Sequence, residues 1–348
     1  TRDDSINNTL NEMGYESYLA GTEQSNNFHK IAKIHIVCNG GASFNGRNGD
    51  IDGEYSYNAI RINLFHGAGI KGVGNASENY LRLKGNNKTL YGVLELLRVH
   101  SKVFRLIYDS PGGWGECYML STGKFMDDVL YKYYMINKAN LIRSDYPRHD
   151  TPVKITKDEE QLIKKLEKYK KKIIYLPTFR IGEQTPEFNN IGEDIINLLS
   201  EKDVIWAQKA HTADESKLIR PRNNNVILLD SNFDINIILP MMDIVITDYS
   251  TASYDALYFG LPVIYFLSDY EKYKNGWNGF VVNFEDIVTG PVAKNKKELA
   301  DAIRIGLNDP TKIKNEKYDK VEKIVWEAHK TTEDIWNDIF DFLKRKNK

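Results

Sequence analysis

Short apolar runs, rich in β-branched residues and closed by glycine, proline or polar clusters, recur along the chain. In the first part "KIAKIHIVC" and "AIRINLF" have this form and predict strands. "SINNTLNEMGYESYLA" reads as helix. So does "KFMDDVLYKYYMI", with "STG" before it as a start signal. "RLIYDSPGGWGECY" resists assignment, and its Pro-Gly-Gly cluster implies a turn or loop.

After "YPRHDTP" comes a charged helical stretch, "TKDEEQLIKKLEKYKKK", and the pattern becomes more regular. "KIIYLPT", "DVIWAQKAH", "NVILLD", "DIVITDYS" and "PVIYFL" predict strands. "GEDIINLLSE", "INIILPMMD" and "TASYDALYFG" predict helical segments between them, and three helices close the chain. Short apolar strands alternating with helices imply a parallel sheet covered on both faces. The organisation expected is two α/β domains in series, residues 1–150 and 151–348, divided near "YPRHDTP". Such sheets take ligands beyond the C-terminal ends of their strands. Two of them facing each other would form a cleft suited to a substrate.

Composition narrows the function classes. The 348 residues suffice for two cores. With 41% hydrophobic and 27% charged residues, the chain has the balance of a globular protein. A formal net charge of -1 argues against a nucleic-acid binder. The basic tail "LKRKNK" reads as a solvated helix end, with an anionic membrane contact as the second reading. Cys38 and Cys117 lie far apart without metal spacing, which fits a reducing cytosol. No apolar run reaches the roughly 20 residues of a membrane span. No signal peptide is visible, and a start at Thr1 rather than Met is expected of a trimmed chain.

The candidate chemistry gathers at strand ends. In "DIVITDYSTASYDALYFG" a strand runs into a polar turn and a helix, with Ser250 and Thr251 at the junction. Free N–H groups at a helix start favour an anion, and hydroxyls add donors. On the local sequence alone the role of helix cap comes first for these residues, and the two roles are compatible. The charge of Asp248 would repel phosphate, so it is read as a capping or orienting residue. "KKIIYLPTFR" places Thr178 and Arg180 after another strand. Arg suits bidentate phosphate contact, or else pairs with a surface acid. "DVIWAQKAH" places Lys209 and His211 after a third. Together these make a donor-rich edge suited to a diphosphate.

In the first domain His66 ends the run "RINLF" and is followed by Gly67, Gly69, Gly72 and Gly74, which let a ligand approach the backbone. Alone it is a strand-end histidine. Opposite a diphosphate site it becomes a base that activates a hydroxyl. "GAGIKG" lacks the spacing of a dinucleotide fingerprint. No phosphate-binding P-loop, nucleophile elbow or zinc-protease motif appears, and no metal is implied.

In combination, "LFHGAGIKG", "YPRHD", "YLPTFR", "QKAH", "ITDYSTASYDALYFGLPVIYF", "SDYEKY" and "GPVAKNKKEL" resemble, in order, the CDP-glycerol glycerophosphotransferases. These are the teichoic acid primases and polymerases and related capsule polymerases. The resemblance spans roughly residues 60 to 305. It implies a GT-B fold of two Rossmann-like domains. It implies transfer of glycerol phosphate, or a related polyol phosphate, from a CDP-linked donor to an acceptor hydroxyl, with CMP released. Carried over by motif, His66 resembles the general base and His211 the histidine on the donor phosphates. Thr178, Arg180, Ser250 and Thr251 resemble donor-phosphate contacts, with Lys209 on the same edge. No cofactor is implied beyond the donor substrate. A lipid-linked or polymeric polyol-phosphate acceptor, and a cytoplasmic protein peripheral at the inner membrane face, are the further implications.

Two stretches depart from the family's usual form. "HGAGIKG" replaces "HGTP" and its following basic pair, and "DSPGGWGECY" is unusual. Both lie on the acceptor side and leave the acceptor open. Two other readings stand beside this one. The first is a GT-B glycosyltransferase, or an epimerase of similar fold, using a nucleotide-sugar. The second is a non-catalytic polymer-binding domain.

Overall fold

A computed structural model describes residues 3–28, 31–37, 59–65, 67, 118–134, 138–151, 153–178, 192–209, 223–230, 232–275, 280 and 282–346. The chain divides into two compact units. One comprises Thr1–Val153, Tyr273–Val282 and Ile324–Lys348, and the other Lys154–Lys272 and Asn283–Lys323.

The first unit is built on a parallel sheet whose described strands are β1 (Ile34–Val37), β2 (Ile60–Asn63), β3 (Tyr118–Ser121) and β4 (Leu141–Arg143), in that spatial order. Before β1 come α1 (Asp3–Glu12) and α2 (Glu23–Phe28), and α3 (Lys124–Tyr134) lies between β3 and β4. The sequence predicted helix through Ala20, but α1 stops eight residues earlier. Gly14 adopts φ +85°, and the Tyr15 N–H turns back to the Leu10 carbonyl at 2.9 Å. Glycine reaches the left-handed region without steric cost, so it ends the helix there.

The second unit holds α4 (Lys157–Glu167), β5 (Lys171–Leu176), α5 (Glu193–Glu201), β6 (Val204–Lys209), β7 (Val226–Leu229), β8 (Ile244–Thr247), α6 (Ala252–Tyr258) and β9 (Val263–Phe266). After them come α7 (Tyr270–Lys274), β10 (Val292–Ala293) and α8 (Lys296–Asn308). Thr156 and Glu159 form a reciprocal capping box at the start of α4, which satisfies two donors a helix start leaves free. The sheet is parallel throughout, in the order β10-β9-β8-β5-β6-β7. Alternate residues of its strands, among them Ile173, Trp206, Ile244, Ile246 and Ile264, share one core with Ile195, Leu198 and Leu199 of α5 and Leu299 and Ile303 of α8. Each such side chain contributes about 1.5–3 kcal/mol when fully buried. The connections β5-α5-β6 and β8-α6-β9 step in opposite directions across the sheet, which under the right-handed rule for parallel crossovers assigns α5 and α6 to opposite faces.

The predicted helical segment "INIILPMMD" is instead two short 3-10 turns, Ile235–Ile237 and Leu239–Met241. Pro240 has no N–H to give and breaks the run of bonds a helix requires.

The chain ends with α9 (Tyr318–Val325) and α10 (Thr332–Lys346). The division at residue 151 placed everything beyond it in the second domain. Residues 324–348 belong with the first unit instead, because "SDYPRHD" after β4 captures them. The Asp145 carboxylate accepts the Lys330 N–H at 2.7 Å. The Ser144 hydroxyl donates to Asp338 at 2.6 Å. Asp150 accepts the Thr332 N–H at 2.7 Å. Tyr146 and His149 both pack edge-on against Trp326. Burial raises the Asp145 carboxyl above its ordinary range, against the lowering effects of the Lys330 N–H, His329 and Lys330. Among the described residues no helix is long and apolar enough to cross a membrane.

Candidate active site

In the second sheet β5 lies centrally, with β6 on one side and β8 on the other. The chain therefore reverses its direction of travel across the sheet between β5 and β8. Helices on either side of such a point diverge and leave a crevice at the C-terminal strand ends, where α/β sheets bind ligands. Thr178 follows β5, while Asp248, Ser250 and Thr251 follow β8. Lys209 ends β6, on the other flank of β5. Five of the candidate residues thus fall on three adjacent strand ends. His66, Arg180 and His211 lie outside the described residues.

Asp248 joins the two strands at the reversal. It is fully buried. Its carboxylate accepts the Thr178 N–H at 2.8 and 3.0 Å and the Tyr249 N–H at 2.6 Å. A carboxylate spent on backbone donors is held in place and holds both turns in return. One residue earlier the Thr247 hydroxyl donates to the Leu176 carbonyl at 2.6 Å, a second tie between the same strand ends. Burial of a charge is costly unless it is hydrogen-bonded, and here it is. In this geometry Asp248 ties the turn after β5 to the turn after β8.

The two hydroxyls at the start of α6 have different surroundings. The Ser250 hydroxyl accepts the Ala252 N–H at 3.3 Å, a weak capping bond. Thr251 already has helical angles, φ -62° and ψ -15°, and its side chain makes no capping bond. Both residues are half-buried. Cap and ligand roles, both open to either residue on sequence grounds, are therefore weighted differently. Ser250 caps, and the Thr251 hydroxyl remains available to a ligand.

Lys209 departs from the simple picture of a cation facing a phosphate. Its Nζ donates to the Phe233 carbonyl at 2.6 Å. Burial lowers its pKa below the usual lysine range, opposed by Asp234 and Asp230.

Further residues of this edge went unassigned in the sequence. Tyr249, fully buried, donates its hydroxyl to Asp269 at 2.9 Å, and its ring meets Phe284 edge-on. The "SD" of "SDYEKY" was the available signal. In the first sheet Asn63 ends β2, and Phe65 follows with φ +60°. A non-glycine residue in that region costs about 1–2 kcal/mol. Nothing in "RINLF" signals it. Among the described residues no three His, Cys, Asp or Glu side chains gather as a metal centre would need.

Comparison with known proteins adds to this geometry. The sequence model of the family described as CDP-Glycerol:Poly(glycerophosphate) glycerophosphotransferase matches residues 54–341. The teichoic acid poly(glycerol phosphate) polymerase of Bacillus spizizenii is 27% identical over 213 residues, 58% of this chain and 52% of that one. The teichoic acid glycerol-phosphate transferase of Staphylococcus aureus is 24% identical over 197 residues, 54% of this chain and 50% of that one. This chain spans about half the length of these two relatives. Among solved structures the wall teichoic acid polymerase TagF superposes with a TM-score of 0.58 at 20% identity, covering 83% of this chain and 70% of that one. A putative UDP-N-acetylglucosamine 2-epimerase from Listeria monocytogenes gives 0.51 at 14% identity, covering 99% and 78%. These likenesses show the fold, which is GT-B-like.

Proposed function

The chain belongs to the CDP-glycerol:poly(glycerophosphate) glycerophosphotransferase family, and from that premise we propose that it is a polyol-phosphate transferase. It moves glycerol phosphate, or a related polyol phosphate, from a CDP-linked donor to an acceptor hydroxyl in the synthesis of a teichoic-acid-type polymer. The family match over residues 54–341 carries the reading. The strand edge of the second unit supports it. Hydroxyls and backbone donors at a sheet reversal suit a diphosphate, and phosphoryl transfer depends mainly on positioning and charge stabilisation.

The roles follow from the chemistry. His66 takes the proton of the acceptor hydroxyl. The hydroxyl oxygen attacks the phosphorus that bears the polyol, and the bond from that phosphorus to the CMP oxygen breaks. A phosphodiester forms and CMP leaves with the electron pair. Negative charge grows on the departing phosphate, where Arg180, His211 and the Thr178 and Thr251 hydroxyls are its donors. Lys209 adds positive potential, Ser250 holds the start of α6, and Asp248 orients the two strand ends. General base catalysis of this kind is worth roughly 10²–10⁴ in rate. The acceptor is a lipid-linked or polymeric polyol phosphate. The protein meets it at the inner face of the membrane, as a peripheral protein.

The test is nucleotide release from CDP-glycerol, CDP-ribitol, UDP-glucose and UDP-N-acetylglucosamine, with a poly(glycerol phosphate) acceptor. CMP release from one CDP-polyol, lost in His66→Ala, is expected. Arg180→Ala and His211→Ala should impair donor use with acceptor saturating. UDP release would assign the protein to the sugar transferases. Tight donor binding without release of any nucleotide would make it a binding domain.

A further inference from the structure

Asn63 is the last residue of β2 and is completely buried. The parallel ladder runs one residue beyond the strand, where the Leu64 N–H donates to the Val37 carbonyl at 2.8 Å. There the chain turns. The Asn63 Oδ1 accepts the Phe65 N–H at 2.8 Å, and Phe65 takes φ +60°. Leu64 and Phe65 are themselves buried. The Asn63 Nδ2 has no hydrogen-bond partner among the described residues.

This is an unfavourable local choice if packing is all that matters. A buried amide loses its hydration, and one bond offsets that only in part. An aromatic residue in the left-handed region adds strain. An apolar residue at position 63 and an extended backbone at 65 would avoid both costs. The strain falls on the residue that immediately precedes His66, and the Asn63 Oδ1 bond orients the peptide that enters it.

We propose that Asn63 is a positioning residue for His66. By holding the peptide N–H that enters the left-handed Phe65, it sets the direction from which the chain reaches the histidine. The role rests on the reading of His66 as the base. Asn63 touches neither substrate nor reacting atoms in this account. It acts through the backbone of Phe65.

The experiment compares the full chain with Asn63→Ala and Asn63→Ser. Turnover is measured with CDP-glycerol and a poly(glycerol phosphate) acceptor. Carbethoxylation of His66 by diethyl pyrocarbonate is followed by mass spectrometry, and the melting temperature is recorded. Asn63→Ala should lower kcat at least tenfold with donor KM within twofold of the parent. It should change the rate of His66 modification at least threefold. Asn63→Ser, whose hydroxyl can accept the same N–H, should recover most of both. Parent-like kcat together with a parent-like modification rate in Asn63→Ala would overturn the proposal. If the parent chain releases no CMP, the functional reading fails by itself, and the modification rates alone decide the role of Asn63. Should Asn63→Ala not fold, Asn63→Thr and Asn63→Val make the same comparison at matched size, with and without the acceptor.

Discussion

Replacing Asp248 by alanine removes the tie between the two strand ends at the sheet reversal. Two buried backbone donors, the N–H groups of Thr178 and Tyr249, lose their acceptor. Each donor left unsatisfied costs about 1–3 kcal/mol, so the loss is about 2–6 kcal/mol. That is a large part of the stability of an ordinary domain, about 5–15 kcal/mol. Asp248→Asn should cost less, because one amide oxygen can still accept both N–H groups. Its Nδ2 then faces the Thr178 N–H where Oδ2 stood, donor against donor, and the bonds lose their charge. A cost of about 1–2 kcal/mol is expected. Urea unfolding followed by tryptophan fluorescence reads both, since Trp206 lies in the same sheet. With a slope of about 2 kcal/mol/M, alanine should move the midpoint by about 1–3 M and asparagine by about 0.5–1 M. Donor titration should weaken in the same order, since Thr178 and Thr251 are no longer held to one geometry. An alanine variant within about 0.5 kcal/mol of the parent would refute the reasoning, and so would an asparagine variant less stable than the alanine one.

Thr251→Val should leave stability within about 0.5 kcal/mol, because its hydroxyl makes no capping bond, yet raise the donor KM several-fold. Ser250→Ala should lose about 0.5–1 kcal/mol of stability as a cap is lost, read by thermal unfolding. The raised Asp145 carboxyl makes a pH-dependent contribution. It favours the fold fully below the ordinary carboxylate pKa and is lost as pH rises through the raised value. Asp145→Asn should therefore flatten the stability profile from about pH 4 upward, measured as the difference between parent and variant in urea unfolding. A Cβ at Gly290 would lie 1.9 Å from the Val263 carbonyl oxygen. Gly290→Ala should cost about 3 kcal/mol or more. Gly260→Ala has open space and φ +71°, and should cost about 1 kcal/mol, both read as melting temperatures.

Local pattern was enough to identify much of this protein. The runs "KIIYL", "VIWAQ" and "DIVIT" became β5, β6 and β8. Their β-branched residues suit a buried pleat, and the polar clusters after them cannot continue it. The caps that Thr156 and Asn295 supply are equally local, each accepting the N–H of a residue three positions on. The ordered motifs from "LFHGAGIKG" to "GPVAKNKKEL" pointed to the family for the same reason, since each is a short stretch whose chemistry is its own.

What sequence pattern could not supply was partnership. Nothing near Asp248 says that it accepts an N–H 70 residues away, and nothing in β5 says that it lies between β6 and β8. Sheet order arises from long-range pairing, in which any apolar strand could in principle lie beside any other. Nothing in "DVIWAQKAH" says that Lys209 donates to the Phe233 carbonyl. The closing residues 324–348 adjoin the second unit in sequence but belong with the first. Bonds from Ser144, Asp145 and Asp150, reaching across 182 to 194 residues, hold them there. Secondary structure follows from interactions a few residues apart, so the chain carries it legibly. Which strand ends share an edge, and which side chains are spent on holding it, depends on contacts that only tertiary packing brings into being.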